Sequence, residues 1–150
     1  MGEKRVIDQR RADALALLQR NGDLWLATAS PAGRPHLIAV STWWDSSQLV
    51  VATVGSSLTA RNLDATGRGR LAGGSTDDVV MIDVRVASSV PVAEADEALR
   101  SAFITAAGWD PAEEGDDWRF FRLEPVRVQA YRGYGELQGR EVMRGGRWLR

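Results

Sequence analysis

The pattern of apolar and polar positions predicts strands with helices set between them. From Ile7 to Arg20, Ala14, Leu15 and Leu18 recur at helical spacing, and Asn21-Gly22 is a natural stop. "LWLATAS" (24–30) and "HLIAVSTWW" (36–44) then predict two strands around the turn "PAGRP". After "DSSQ", "LVVAT" (49–53) predicts a third. Three strands joined by short turns make an antiparallel meander.

"GSSLTARNL" (55–63) carries a short helical pattern, which "ATGRG" breaks before the short strand "RLAGG" (70–74). "VVMIDVRVAS" (79–88) alternates: Ile82, Val84 and Val86 face one way, and Met81, Asp83 and Arg85 the other. Asp83 and Arg85 are therefore expected to pair with each other. Ala93 to Ala107 repeats at helical spacing, with Gly108 as its stop. "WDPAEEGDD" is expected as a polar loop, and "RFFRLEPVRVQAYR" as a strand with Val126, Val128 and Ala130 on one face. "GRWL" adds a last short strand or lies over the surface. Strands grouped with helices inserted predict an α+β, mainly β chain with an antiparallel barrel at its centre.

The length, 150 residues, fits one domain over 1–150. With no Cys, disulfides, thiolate metal sites and Cys nucleophiles are excluded, and a single His argues against a multi-His metal centre. A net charge of −1 gives no general attraction to nucleic acid. No stretch reaches the roughly 20 apolar residues of a membrane span. The charged N-terminus does not resemble a secretory signal, so a cytoplasmic location is expected. All the basic residues except Lys4 are Arg, which reflects a compositional bias more than phosphate binding.

The junction at 55–63 is where chemistry is concentrated. Ser57 can act as the N-cap of the helix that follows; Ala60 at the third position rules out a reciprocal capping box. Alternatively, the free amides and the Ser56, Ser57 and Thr59 hydroxyls surround an anion at the helix N-terminus, with Arg61 supplying charge. The pattern is not a nucleotide P-loop. Trp43 and Trp44 are adjacent, so they point to opposite faces of a strand. His36 has no evident acid or nucleophile partner in the sequence. Side-chain catalysis therefore finds little support, and a bound redox cofactor would fill that gap.

"LATASPAGRPHLIAV", "WWDSSQLVVATVGSSLTARNL" and "GRGRLAGG" together resemble the pyridoxamine 5′-phosphate oxidase-like, flavin-binding split β-barrel superfamily. The likeness runs from about residue 23 to 88, and more weakly through "EPVRVQAYR". It implies a six-stranded antiparallel split barrel with about three helices, a homodimer, and FMN or the deazaflavin coenzyme F-420 held at the subunit interface. It also implies that Thr53, Ser56, Ser57, Thr59 and Arg61 hold the cofactor's phosphate arm. The strand Val40, Ser41, Thr42 and Trp43 would lie along its ring. Two departures point away from true pyridoxamine phosphate oxidation: Leu58 and Thr59 stand where oxidase members have a basic pair, and Ala39 where many have Pro. The expected function is hydride transfer between that cofactor and a small organic substrate; the alternative is a non-catalytic carrier of the same fold.

Overall fold

The computed structural model describes residues 3–150. Helix α1 (Ile7–Gln19) turns Ala14 and Leu18 into the core. Strands β1 (Leu24–Ala29), β2 (Pro35–Val40), β3 (Thr42–Trp44) and β4 (Leu49–Val54) follow. Helix α2 (Leu58–Thr66) leads to β5 (Arg68–Ser75) and β6 (Asp78–Pro91). Helices α3 (Glu97–Ala107) and α4 (Pro111–Glu114) precede β7 (Trp118–Tyr131), and β8 (Glu141–Arg144) and β9 (Arg147–Trp148) end the chain.

The antiparallel strands are hydrogen-bonded in the order β2-β1-β5-β6-β7-β4-β3, with β8 and β9 added at β7. The two ends of that path, β2 and β3, are separated in the chain by Ser41 alone. Laid flat, six inter-strand spacings of about 4.8 Å would put the edges roughly 29 Å apart. Three consecutive residues span at most about 7 Å between their outer Cα atoms. The sheet therefore has to curl, in the sense its strand twist favours, into a half-barrel.

The interior is filled from every wall of the curl: Leu26, Leu49, Val51, Leu71, Ile82, Phe121 and Val128 meet there, with Ala14 and Leu18 of α1 closing one side and Leu63 of α2 another. A second, smaller core lies outside the sheet. There Val50, Ala52 and Phe120 are covered by Leu99 and Phe103 of α3. Strand β4 is buried on both faces, which is why it reads as an unbroken apolar run.

The sheet has nine strands rather than six. The predicted strand 36–44 is two strands, broken at Ser41 where the chain crosses from one sheet edge to the other. The C-terminal hairpin of β8 and β9 adds two more. The expected helix from Ala93 starts only at Glu97, because the Asp96 carboxylate caps it by accepting the Leu99 N–H at 2.8 Å. Asp110 caps α4 inside the expected polar loop. Asp83 pairs with Arg70 and Arg85 with Glu124, not with each other, because cross-strand neighbours are closer than residues two apart on one strand. Val126 is the extra residue of a β-bulge and stays half-exposed, while Val128 and Ala130 are buried. None of the helices among the described residues is long and apolar enough to cross a membrane.

A buried ionic clamp ties the two ends of the chain together. The Glu136 carboxylate, 4% exposed, accepts the Arg5 backbone N–H at 2.8 Å, Arg5 Nη2 at 2.7 Å and the Arg132 backbone N–H at 2.8 Å. Arg10, also buried, donates to the Glu136 carbonyl at 3.0 Å. The Arg5 guanidinium and these amides lower the Glu136 pKa from 4.5 to about 2. A carboxyl depressed on folding stabilises fully above its unfolded value and loses that contribution as pH falls toward its folded one. Wild-type protein should therefore lose part of its stability as pH falls from about 4.5 to about 2, as denaturant melts across that window will show. Glu136→Gln should cost about 3–5 kcal/mol at neutral pH, the scale for breaking a buried pair, and should flatten this pH dependence.

Candidate anion site at the junction of β4 and α2

The junction is built by two turns of chain and one long-range contact. Strand β4 ends at Val54, and the Ser57 N–H donates to the Val54 carbonyl at 3.0 Å, turning the chain into α2. Ser57 is the N-cap: its hydroxyl accepts the Ala60 N–H at 3.1 Å and shares a 3.1 Å hydrogen bond with the Thr53 hydroxyl. Thr53 and Ser57 are thereby brought together. Gly67 ends the helix in the left-handed region, at φ 68°.

Three donors at this helix start are free. The N–H groups of Leu58 and Thr59, the first two of α2, have no acceptor among the described residues. Thr59 is fully buried, and its hydroxyl has no hydrogen-bond partner among the described residues. A buried hydroxyl left unmet is costly, which marks this position as one suited to an external acceptor. Arg61 lies on the exposed side of α2 and forms no ion pair among the described residues. Ser56 is held through its backbone. Its backbone N–H donates to the Asp117 carboxylate at 3.1 Å, and the Gly55 N–H to the Asp117 carbonyl at 2.6 Å. A Cβ at Gly55 would lie 2.5 Å from Asp117 Oδ1, so a larger residue there would push the Asp117 carboxylate aside. Asp117 was not legible as a neighbour, because it lies 61 residues away in sequence.

The stretch Val40–Trp43 does not present one common face. Val40 and Thr42 point into the barrel and are buried, and the Thr42 hydroxyl donates to the Gly22 carbonyl at 2.9 Å. Ser41 and Trp43 point outward. The Ser41 hydroxyl donates to Asp23 at 3.1 Å and accepts Trp109 Nε1–H at 2.9 Å. Trp43 packs beside the outer core and borders a shallow hollow of ≈ 520 Å³ with Arg20, Ser101 and Thr105. Trp44 takes the opposite face and is buried in the main core. Strand β3 pairs Thr42 with Val51 of β4, two residues before Thr53, so this stretch adjoins the junction. His36 is half-buried opposite Thr28. No group of three or more His, Cys, Asp or Glu among the described residues could hold a metal ion.

No family model matches the chain, and no curated protein is significantly similar to it. Solved structures are similar. An F420 reductase, 20% identical, aligns over 75% of this chain and 93% of its own, with a TM-score of 0.64. A pyridoxamine 5′-phosphate oxidase-related, FMN-binding protein from Nostoc punctiforme, 17% identical, aligns over 83% and 80%, with a TM-score of 0.52. The chain has the pyridoxamine 5′-phosphate oxidase-like split β-barrel fold. A third solved structure, 26% identical, aligns over 89% of this chain and 93% of its own at a TM-score of 0.70. Within this split barrel the free N–H groups at the start of α2 are suited to an anionic group. The local cap is separable from that role. Ser57→Ala should destabilise the fold by about 1 kcal/mol, the usual scale for losing an N-cap, in thermal melts of cofactor-free protein.

Proposed function

We propose that the chain is a flavin- or deazaflavin-dependent oxidoreductase acting on a small organic substrate with FMN or coenzyme F-420. One observation carries the reading: at one helix start, a buried Thr59 hydroxyl and two helix amides have no partner among the described residues, and the exposed Arg61, two residues on, forms no ion pair among them. Helix N-termini favour anions through both their free N–H groups and the helix dipole. In this reading the Ser57 and Thr59 hydroxyls and the Leu58 and Thr59 amides hold the phosphate, Arg61 supplies charge, and Thr53 fixes the turn that presents them. Thr59 in place of a basic residue leaves Arg61 as the principal cation. When bound, FMN or F-420 supplies hydride transfer, which no side-chain constellation here offers. The protein's part is to bind and orient the ring and to keep water from it. Trp43, on the outer side of β3, shapes the approach.

A homodimer belongs to the same proposal. Trp25, Ala27, Leu37 and Ala39 share the outer face of β1 and β2, since Trp25 pairs with Ala39 and Ala27 with Leu37. Trp25 is 56% and Leu37 60% exposed, an unusual pair of large apolar groups on one sheet face. A second copy of the chain would cover them. Light scattering at micromolar concentration should give a dimer, and Trp25→Asp should give a monomer; a monomeric wild type would contradict this part of the proposal.

The alternative, a non-catalytic carrier of the same cofactor, is favoured by the isolation of His36, which has no partnered acid among the described residues. Both readings share the phosphate site. Visible-absorbance titration with FMN and with F-420 tests it. The wild type should bind one of them, and the Ser57→Ala, Arg61→Ala double variant should lose about 1–3 kcal/mol of binding for each group removed. Equal binding by parent and double variant would leave Ser57 as a cap only. Reoxidation of the reduced, bound cofactor by added quinones or enones then separates enzyme from carrier.

A further inference from the structure

The ladder between β1 and β5 stops half-way. Trp25, Leu26 and Ala27 pair with Ala72, Leu71 and Arg70, whereas β2 stays paired with β1 as far as Ala29. Beyond Ala27 the two strands part, and the end of β1 faces no strand on that side. Gly69 sits at the point of parting. A Cβ there would come within 3.2 Å of Leu26 Cδ1 and 3.3 Å of the Ala27 carbonyl, so Gly lets the strands meet below the opening.

The opening is a cleft of ≈ 970 Å³ with mainly apolar walls from Ala29, Pro31, Pro35, Val84 and Val126. Val126 reaches it because it is the bulged residue of β7. The cleft meets α2 at Thr66, the opposite end of the helix from the junction, and the helix's rise of about 1.5 Å per residue puts the two roughly 12 Å apart.

Its charge is one-sided. Arg68, Arg70 and Arg85 line it against Asp83 alone, on a chain whose net charge is −1. Two of the three cations are already held: Arg70 Nη2 donates to Asp83 at 3.1 Å, and Arg85 Nη2 to Glu124 at 2.7 Å. Arg68 is exposed and has no ion pair among the described residues. An apolar slot with one uncommitted guanidinium matches a molecule that is apolar in its body and anionic at one end. Walls made by two parted strand edges suit a planar body.

From this we infer that the split between β1 and β5 is a binding site for a flat apolar organic anion, of the aromatic carboxylate class, with Arg68 as its charge partner. The site is separate from the phosphate junction and does not depend on which cofactor the junction holds.

Calorimetric titration of the full chain with 1-naphthoate, and with neutral 1-naphthalenemethanol, tests this. Wild type should bind the carboxylate. Arg68→Glu should weaken it by roughly tenfold or more, the scale of one charge-assisted contact, and change the neutral analogue by less than about twofold. Ala29→Trp, which fills the cleft, should weaken both ligands, with a circular dichroism spectrum confirming the fold. The inference fails if wild type does not bind 1-naphthoate, if Arg68→Glu binds it as wild type does, or if both ligands weaken equally in Arg68→Glu. It also fails if a folded Ala29→Trp binds both as before. Unchanged binding in Arg68→Glu would leave Arg68 only as compensation for the C-terminal end of α2.

Discussion

The architecture depends on one covalent constraint: Ser41 joins the two outermost strands of a seven-strand path. No hydrogen bond or apolar contact could impose closure so strictly. A peptide chain cannot stretch, so the sheet curls until β2 and β3 meet. Val40 and Thr42 then enter the barrel while Ser41 stays outside, where Asp23 and Trp109 fix its hydroxyl. The Trp109 bond also draws the end of α3 down onto the sheet and helps close the outer core over Val50 and Phe120.

Closure positions the junction in turn. Strand β4 lies next to the closing strand and is buried on both faces, so its end cannot shift without disturbing two cores. Thr53, the last buried residue of β4, anchors Ser57 through the hydroxyl pair, and α2 starts from a rigid support. Thr28 accepts from Asn62 Nδ2 at 3.1 Å and fixes the other side of the helix. A free amide pair and an unmet hydroxyl at such a point are held in place by the fold itself, which would lower the ordering cost of binding an anion there.

What the sequence reveals follows the range of each interaction. Period-two alternation put Ile82 and Val84 on one face, which is the buried one, and the helical spacing around Ala14 and Leu18 identified α1, because both patterns depend on neighbours a few residues away. The cap at Ser57 was legible for the same reason. The break at Ser41 was not, since "HLIAVSTWW" carries no Gly or Pro to mark it and only the closed sheet requires it. Strand β8 is four residues with charged ends, too short for alternation to register. The Arg5–Glu136 clamp spans 131 residues, and the Asp117 contact with Ser56 spans 61. No local pattern encodes either. The resemblance supplied the fold and named the junction. The geometry then divided the expected ring-facing stretch between the barrel interior and its outer surface.

The central claim is that an anionic cofactor arm is held at the start of α2. Amide chemical-shift mapping of isotope-labelled protein, titrated with FMN and with F-420, tests it most directly. The account predicts that the largest, saturable shifts fall on the amides of residues 57–61, accompanied by a shifted phosphorus resonance of the bound cofactor. Saturable binding that leaves the Leu58, Thr59 and Arg61 amides unmoved, with its shifts centred elsewhere, would contradict it.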